Sequence, residues 1–282
     1  MKNILVPTDF STQAGYAFDL ALQLAKKSGG KVHVINIVEV PISAVADPMG
    51  APIVADWGAD FLKTITKDHQ IRLEKLVSES ESRVEILIKT EVGVVLDSTL
   101  DYISENSIDL VVMGTKGATG LKEIFIGSNA EKVVRFSPCP VITVRYPAVI
   151  NEIENIVFGL DLSGSEEKVI SQLKTLQKVL NVTIHFIYVD TPHVIINHDE
   201  MIGKLRSFAL ENEFEDYTVN IRKNIQPDSG IIEFAKELSA DMIAMSTHSR
   251  KGLSHFISGS LAEDVVNHSP LPVWTISLKR DD

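Results

Sequence analysis

Two consecutive copies of an open, doubly wound α/β sheet are what this 282-residue chain predicts. Two observations carry that reading. Short β-branched apolar runs alternate with amphipathic helical patterns along the whole chain, the mark of βαβ units and a parallel sheet. The alternation also repeats itself. Residues 109–144 laid over 241–276, an offset of 132, share sixteen of thirty-six positions, including Gly120/Gly252, Gly127/Gly259, Ser128/Ser260, Glu131/Glu263, Pro138/Pro270 and Pro140/Pro272. The opening Asn3–Ser11 lies over Asn155–Ser163 at an offset of 152.

In the first copy, residues 4–7 form a buried strand. Ser11 caps a helix whose Ala14, Phe18, Ala21, Leu22 and Ala25 share a face, and Gly29-Gly30 ends it. Strand 32–38 follows, then helix 61–80, strand 84–90, helix 94–106, strand 110–113, helix 128–136 and strand 141–144. The twenty-residue difference between the two offsets falls at 41–58, where Pro41, Pro48, Gly50, Pro52 and Gly58 predict a long surface loop, a candidate flap over a site. The second copy runs in the same order: 156–160, 166–180, 182–189, 199–213, 217–223, 230–238, 242–245, 261–267 and 273–276. The boundary between domains 1–147 and 154–282 falls in a Pro147-led connection.

A formal net charge of −11 argues against non-specific nucleic-acid or anionic-membrane binding. It leaves room for a local nest of backbone N–H groups around an anion. One cysteine, Cys139 between two prolines, reads as a packing residue in a reducing compartment. Asp9 interrupts the N-terminal apolar run and no run reaches the length of a membrane span, so the expected location is cytoplasmic.

In sheets of this kind ligands bind beyond the carboxyl ends of the strands, which points to 7–10, 37–40 and 114–120. Met113-Gly114-Thr115-Lys116-Gly117 leaves a buried strand through glycines, and Gly127-Ser128-Asn129 opens a helix. Glycines bring backbone N–H groups close to an anion, and a helix N-terminus adds donors and a favourable dipole. Ser128 can bind a phosphate, cap its helix, or both. Asp9 can accept from a ribose or adenine group, help hold a metal, or serve the fold; Lys116 can neutralise a phosphate or stay solvated. Neither GxxxxGK[ST] nor a GxGxxG after the first strand is present, so neither commoner phosphate loop applies.

Gly114-x2-Gly117-x9-Gly127-Ser128 resembles the ATP-binding signature of the universal stress protein family, with every position filled. Pro7-Thr8-Asp9-Phe10-Ser11 is similar to that family's opening strand, and Ala130–Val133 with Ser137–Val141 to its closing helix and strand. The resemblance covers nearly the whole chain as a tandem form. It implies five-stranded parallel sheets of order 3-2-1-4-5, the adenine nucleotide alpha hydrolase-like arrangement, paired through their last strands as an intrachain pseudo-dimer. It implies ATP, with or without Mg²⁺, held by Pro7, Thr8, Asp9 and the backbone near Ile37 on the nucleoside side. Met113, Gly114, Gly117, Gly127, Ser128 and Asn129 would line the ribose and phosphates.

The second copy departs from the pattern. Ser246 and Ser249 replace Gly114 and Gly117, and Gly159-Leu160-Asp161 replaces Pro7-Thr8-Asp9. A Cβ crowds a phosphate nest, so this copy is expected to bind nucleotide weakly or not at all. His193, His198, Asp199 and Glu200 lie close in sequence but match no standard zinc spacing; His248 and His255 read as surface residues. No GxSxG elbow and no paired-carboxylate site is evident. The expected function is therefore a cytoplasmic ATP-binding stress-response sensor or regulator. An adaptor module that needs no nucleotide, and a slow ATPase or self-phosphorylating protein, stand as alternatives; further homodimerisation and the resident adenylate stay open.

Overall fold

The computed structural model describes residues 1–39, the backbone of 45–46 and 52–53, and residues 59–115, 127–160, 167–192, 196–247 and 261–277. The first copy contains β1 (Asn3–Pro7), α1 (Thr12–Ser28), β2 (Lys31–Val38), a β3 (Val45–Ala46) and β4 (Pro52–Ile53) pair, α2 (Ala59–Glu79), β5 (Ile86–Val92), α3 (Val95–Glu105), β6 (Leu110–Gly114), α4 (Ser128–Phe136) and β7 (Val141–Val144). A short 3-10 turn at Ile150–Glu152 leads to the second: β8 (Asn155–Gly159), α5 (Glu167–Leu180), β9 (Thr183–Asp190), α6 (His198–Glu211), β10 (Tyr217–Lys223), α7 (Pro227–Glu237), β11 (Met242–Thr247), α8 (Leu261–His268) and β12 (Val273–Ser277).

The strands join into one ten-stranded sheet, order β10-β9-β8-β11-β12-β7-β6-β1-β2-β5. Within this sheet each half has the expected 3-2-1-4-5 order and is parallel, and the one antiparallel pairing is between β7 and β12; β3 and β4 form a separate two-stranded sheet. Helices α1, α2, α5 and α6 cover one face, with Phe18, Leu24, Leu73, Leu173 and Leu205 in its core. The other four cover the opposite face, where Ile103, Val133, Phe234 and Val265 are buried.

Local chemistry explains the elements. Ser11 Oγ accepts from the Ala14 amide at 3.2 Å and opens α1; Gly29 closes it at φ +64°, where a side chain would be strained. Asp109 accepts from the Asn3 amide at 3.0 Å, and its counterpart Asp241 from the Asn155 amide at 3.0 Å, so the same carboxylate ties the first strand of each copy to its fourth.

Several boundaries depart from expectation, α2 starting at 59 rather than 61 and α6 ending at 211 rather than 213 among them. Helix α7 begins at Pro227 rather than 230, because proline at the first helical turn costs no hydrogen bond. Strand β5 starts two residues late, since the Val84 amide donates to Ser82 Oγ in a turn. Within 41–58, expected as an irregular loop, Val45–Ala46 pairs antiparallel with Pro52–Ile53; the other residues of that stretch lie outside those described.

At the junction Val141 faces Thr275, Ile142 faces Trp274 and Thr143 faces Val273. Adding 132 to one member of each pair returns the other pair, so a pseudo-two-fold axis passes between Ile142 and Trp274. Side chains repeat the symmetry. Thr143 Oγ1 donates to Val273 O and Thr275 Oγ1 to Val141 O. Arg145 Nη2 donates to Asn267 O, and Ser277 Oγ to Arg135 O, at the equivalent places. Pairing the two last strands removes two apolar edges.

Two buried histidines occupy equivalent positions, His33 on β2 and His185 on β9. His33 Nδ1 meets Tyr102 OH at 3.0 Å; His185 sits between Thr218 Oγ1 and Asn155 Oδ1. Burial holds both below the ordinary histidine value, because the cation is poorly solvated there. Their contribution to stability is therefore complete above the unfolded value of about 6.5 and is lost as pH falls below it toward the folded values. Urea midpoints are expected to drop between pH 7.5 and 5.5. A His33→Gln/His185→Gln variant should show a visibly smaller drop, and an identical drop would assign the effect elsewhere.

Candidate functional site

The carboxyl ends of β6, β1 and β2 lie side by side, since β1 pairs with both neighbours. The chain leaving β1 is tightly bound. The Thr8 amide donates to Ile35 O at 2.8 Å and extends the ladder by one bond. The Phe10 amide donates to Thr8 Oγ1 at 3.0 Å and the Ser11 amide to Asp9 Oδ1 at 2.9 Å. Phe10 takes φ +62°, a costly conformation that these bonds impose. Asp9 is exposed, and its first duty is the turn that leads into α1.

Two residues overlooked in the sequence stand behind this turn. Asn36, 3% exposed, donates from Nδ2 to Thr8 O at 2.7 Å and accepts at Oδ1 from His69 Nδ1 of α2 at 2.7 Å. The His69 ring meets Phe10 edge-on at 5.7 Å, and the Arg72 guanidinium lies 4.0 Å from the Phe10 ring centre. Burial, and then Arg72, hold His69 below its ordinary value against the pull of Asp68. Asn36 carries a sequence signal, being the one polar residue in the run Val34–Val38; His69 carries none.

At the end of β6, Gly114 is required by packing. A Cβ there would lie 2.7 Å from the carbonyl carbon of Gln13 and 2.9 Å from the Ala14 nitrogen. The Thr115 amide donates to Val144 O, and Thr115 O accepts from the Gly127 amide at 2.6 Å. That bond closes the chain between them and sets the start of α4 beside the β6 end. Gly127, not Ser128, occupies the cap position, and no side chain caps the helix. Ser128 is the first helical residue and exposed, so it cannot fill the capping role considered for it. Among the described residues the first-turn amides of α4 thus lack a side-chain acceptor, and they carry the positive end of the helix dipole. Thr115 is 3% exposed and its Oγ1 has no hydrogen-bond partner among the described residues.

The other expected site residues fall as follows. Pro7 and Met113 are buried, Met113 within the α3/α4 core, so its side chain is a packing group. Ile37 is half-buried on β2, and Asn129 half-buried on α4. Lys116 and Gly117 lie outside the described residues, as do Asp161, Ser249, Gly259, Ser260, His193, His248 and His255. In the second copy Gly159 stands where the first has Pro7, and a Cβ there would meet Ile231 Cδ1 at 2.7 Å. Ser246 lies on β11 opposite Ile276. His198, considered among candidate metal ligands, pairs with Asp190 at 2.9 Å. Cys139 is buried and its thiol is pushed up to about 11, so it is unreactive.

The family model for the universal stress proteins matches this chain twice, over residues 1–145 and 152–277. The chain belongs to the universal stress protein family. A universal stress protein of Synechocystis is 23% identical over 299 aligned residues, covering 98% of this chain and 99% of that protein. One from Methanocaldococcus jannaschii is 31% identical over 148 residues, 52% of this chain and 83% of its own length. The crystal structure of a universal stress protein from Archaeoglobus fulgidus superposes with a TM-score of 0.73 over 98% of each chain at 19% identity. This universal stress protein therefore shares the tandem fold across its length. Among the described residues no helix is long and apolar enough to cross a membrane.

Proposed function

We propose that this universal stress protein binds ATP in its first domain, 1–147, and acts as a nucleotide-dependent sensor or regulator in the cytoplasm. The second domain, 154–282, serves as its paired partner. The observation that supports this reading most is the start of α4. The Gly127–Thr115 bond holds its amides, uncapped among the described residues, at the carboxyl end of β6, the strand that pairs with β1. A polyphosphate fits that chemistry: N–H donors and a Thr115 hydroxyl without partners among the described residues, at a positive dipole end.

In this reading the amides of Ser128 and Asn129 receive the phosphates. Gly127 acts through its shape, because its own amide is already bonded. Gly114 lets α1 approach; Lys116 and Gly117 complete the phosphate loop. Pro7, Thr8, Asp9 and Ile37 flank the nucleoside, and ATP would enter with Mg²⁺. In the second domain Ser246 stands at the position of Gly114 and Ile231 closes against Gly159, so that copy is expected to bind nucleotide weakly or not at all.

Ser128→Asp tests the reading cleanly. A carboxylate at the first helical position favours the helix but repels phosphate. Calorimetric titration of ATP with Mg²⁺ should give about one site per chain in the wild type and binding at least tenfold weaker in Ser128→Asp, with an unchanged or raised Tm. No heat from wild-type protein freed of co-purified nucleotide would reject the proposal; equal binding by both would move the phosphates away from α4.

A further inference from the structure

We infer that His69 and Asn36 are positioning residues for the nucleotide site, acting through the Thr8–Phe10 turn. The inference rests on the first domain being the nucleotide domain. Thr8 O is a carbonyl and must receive a donor, so the Asn36 amide presents Nδ2 to it and Oδ1 to α2. His69 must then donate from Nδ1. The proton on that nitrogen fixes one end of a relay, His69 to Asn36 to Thr8 O, that stops one residue short of Asp9. One helical turn further on, Arg72 lies on the Phe10 ring. Helix α2 thus holds the turn at its peptide and at its ring, while the bonds of Asp9 and Thr8 to the amides of Ser11 and Phe10 hold it from within.

The second copy supplies the control. Its Leu160 amide donates to Ile187 O at 3.0 Å, the counterpart of the Thr8–Ile35 bond. Tyr188 stands where the first copy has Asn36, an offset of 152. Helices α2 and α6 end at residues 79 and 211, an offset of 132, and that offset lays fully buried Leu205 over fully buried Leu73. It puts Met201 at the place of His69 and Lys204 at that of Arg72, and Lys204 pairs with Glu200 instead. The fold therefore makes this strand end without the relay. Only the copy with the intact glycine pattern retains it, so the relay answers to what that copy binds rather than to the sheet.

The test compares ATP affinity in wild type, His69→Leu, His69→Gln and His69→Asn. The asparagine amide nitrogen falls near the place of Nδ1 and keeps the donor. Glutamine carries its donor one bond further out, and leucine has none, so Asn36 Oδ1 is left buried and unpaired. Leucine and glutamine should weaken binding about tenfold, the scale of one buried hydrogen bond. Asparagine should bind within about threefold of wild type, taking a factor of three as under half of that bond. Amide exchange across residues 8–11 in the nucleotide-free proteins should speed up in leucine and glutamine and return in asparagine.

Equal affinity in all four proteins overturns the inference and leaves ATP binding intact. Equal weakening in all three variants shows a packing role and overturns it as well. A wild type that binds no ATP removes the nucleotide reading and this inference together, and exchange that still responds to His69→Leu would identify that case as a relay without a ligand.

Discussion

Trp274→Ala is expected to destabilise the chain by about 3–5 kcal/mol, the usual cost of emptying a buried aromatic site. Trp274 is fully buried on β12 and faces Ile142 of β7 beside the pseudo-two-fold axis. A symmetric dimer must place identical side chains across such an axis. A fused chain is free of that constraint and sets one large residue against one smaller one. The indole Nε1 has no hydrogen-bond partner, which costs about 1–3 kcal/mol where it sits. Trp274→Phe removes that donor along with part of the ring, so the two effects offset and the net loss should stay near 1 kcal/mol. Urea unfolding followed by far-UV circular dichroism reads both variants. A loss as large for phenylalanine as for alanine would show that the orphan donor is not a cost here.

The second large effect is at Gly114. Gly114→Ala should cost about 1–3 kcal/mol, because the added Cβ meets the backbone of Gln13 and Ala14, which cannot swing aside as a flexible side chain would. Gly15, only two residues from Gln13 and inside α1, has no atom within 4 Å of its missing Cβ; Gly15→Ala should raise stability by up to about 1 kcal/mol. The opposed signs separate packing from helix propensity on the same helix. ATP affinity should fall in Gly114→Ala alone, since displacing the start of α1 pulls on the Ser11 cap and the Thr8–Phe10 turn before it. If both substitutions stabilise, α1 does not need the close approach.

Most of the architecture was legible because buried parallel strands read as continuous apolar runs. Ile4–Val6 of β1 and Leu110–Val112 of β6 are fully buried between two helical layers. Strand β5 was misplaced by two residues because it is an edge strand with alternating exposure and a weaker pattern. The start of α7 was placed three residues late, and Pro227 stands in its first turn, where a missing N–H costs no hydrogen bond. The junction was implied by the family resemblance, and covering two apolar edge strands is its physical sense.

The sequence by itself determined the two-copy α/β plan, the order of elements and the glycine pattern that points to phosphate. These depend on residues close in the chain, whose period and spacing can be read directly. Tertiary structure alone decided what several of these residues do in the fold. Gly114 is glycine because a helix start a hundred residues earlier presses against it. Gly127 has its amide bonded to Thr115 and takes the cap position in place of Ser128. Asn36 and His69 come from a strand and a helix thirty-three residues apart and meet at 2.7 Å only once α2 has packed on the sheet. A hydrogen bond between such distant residues leaves no periodicity behind it, so no reading along the chain could have found it.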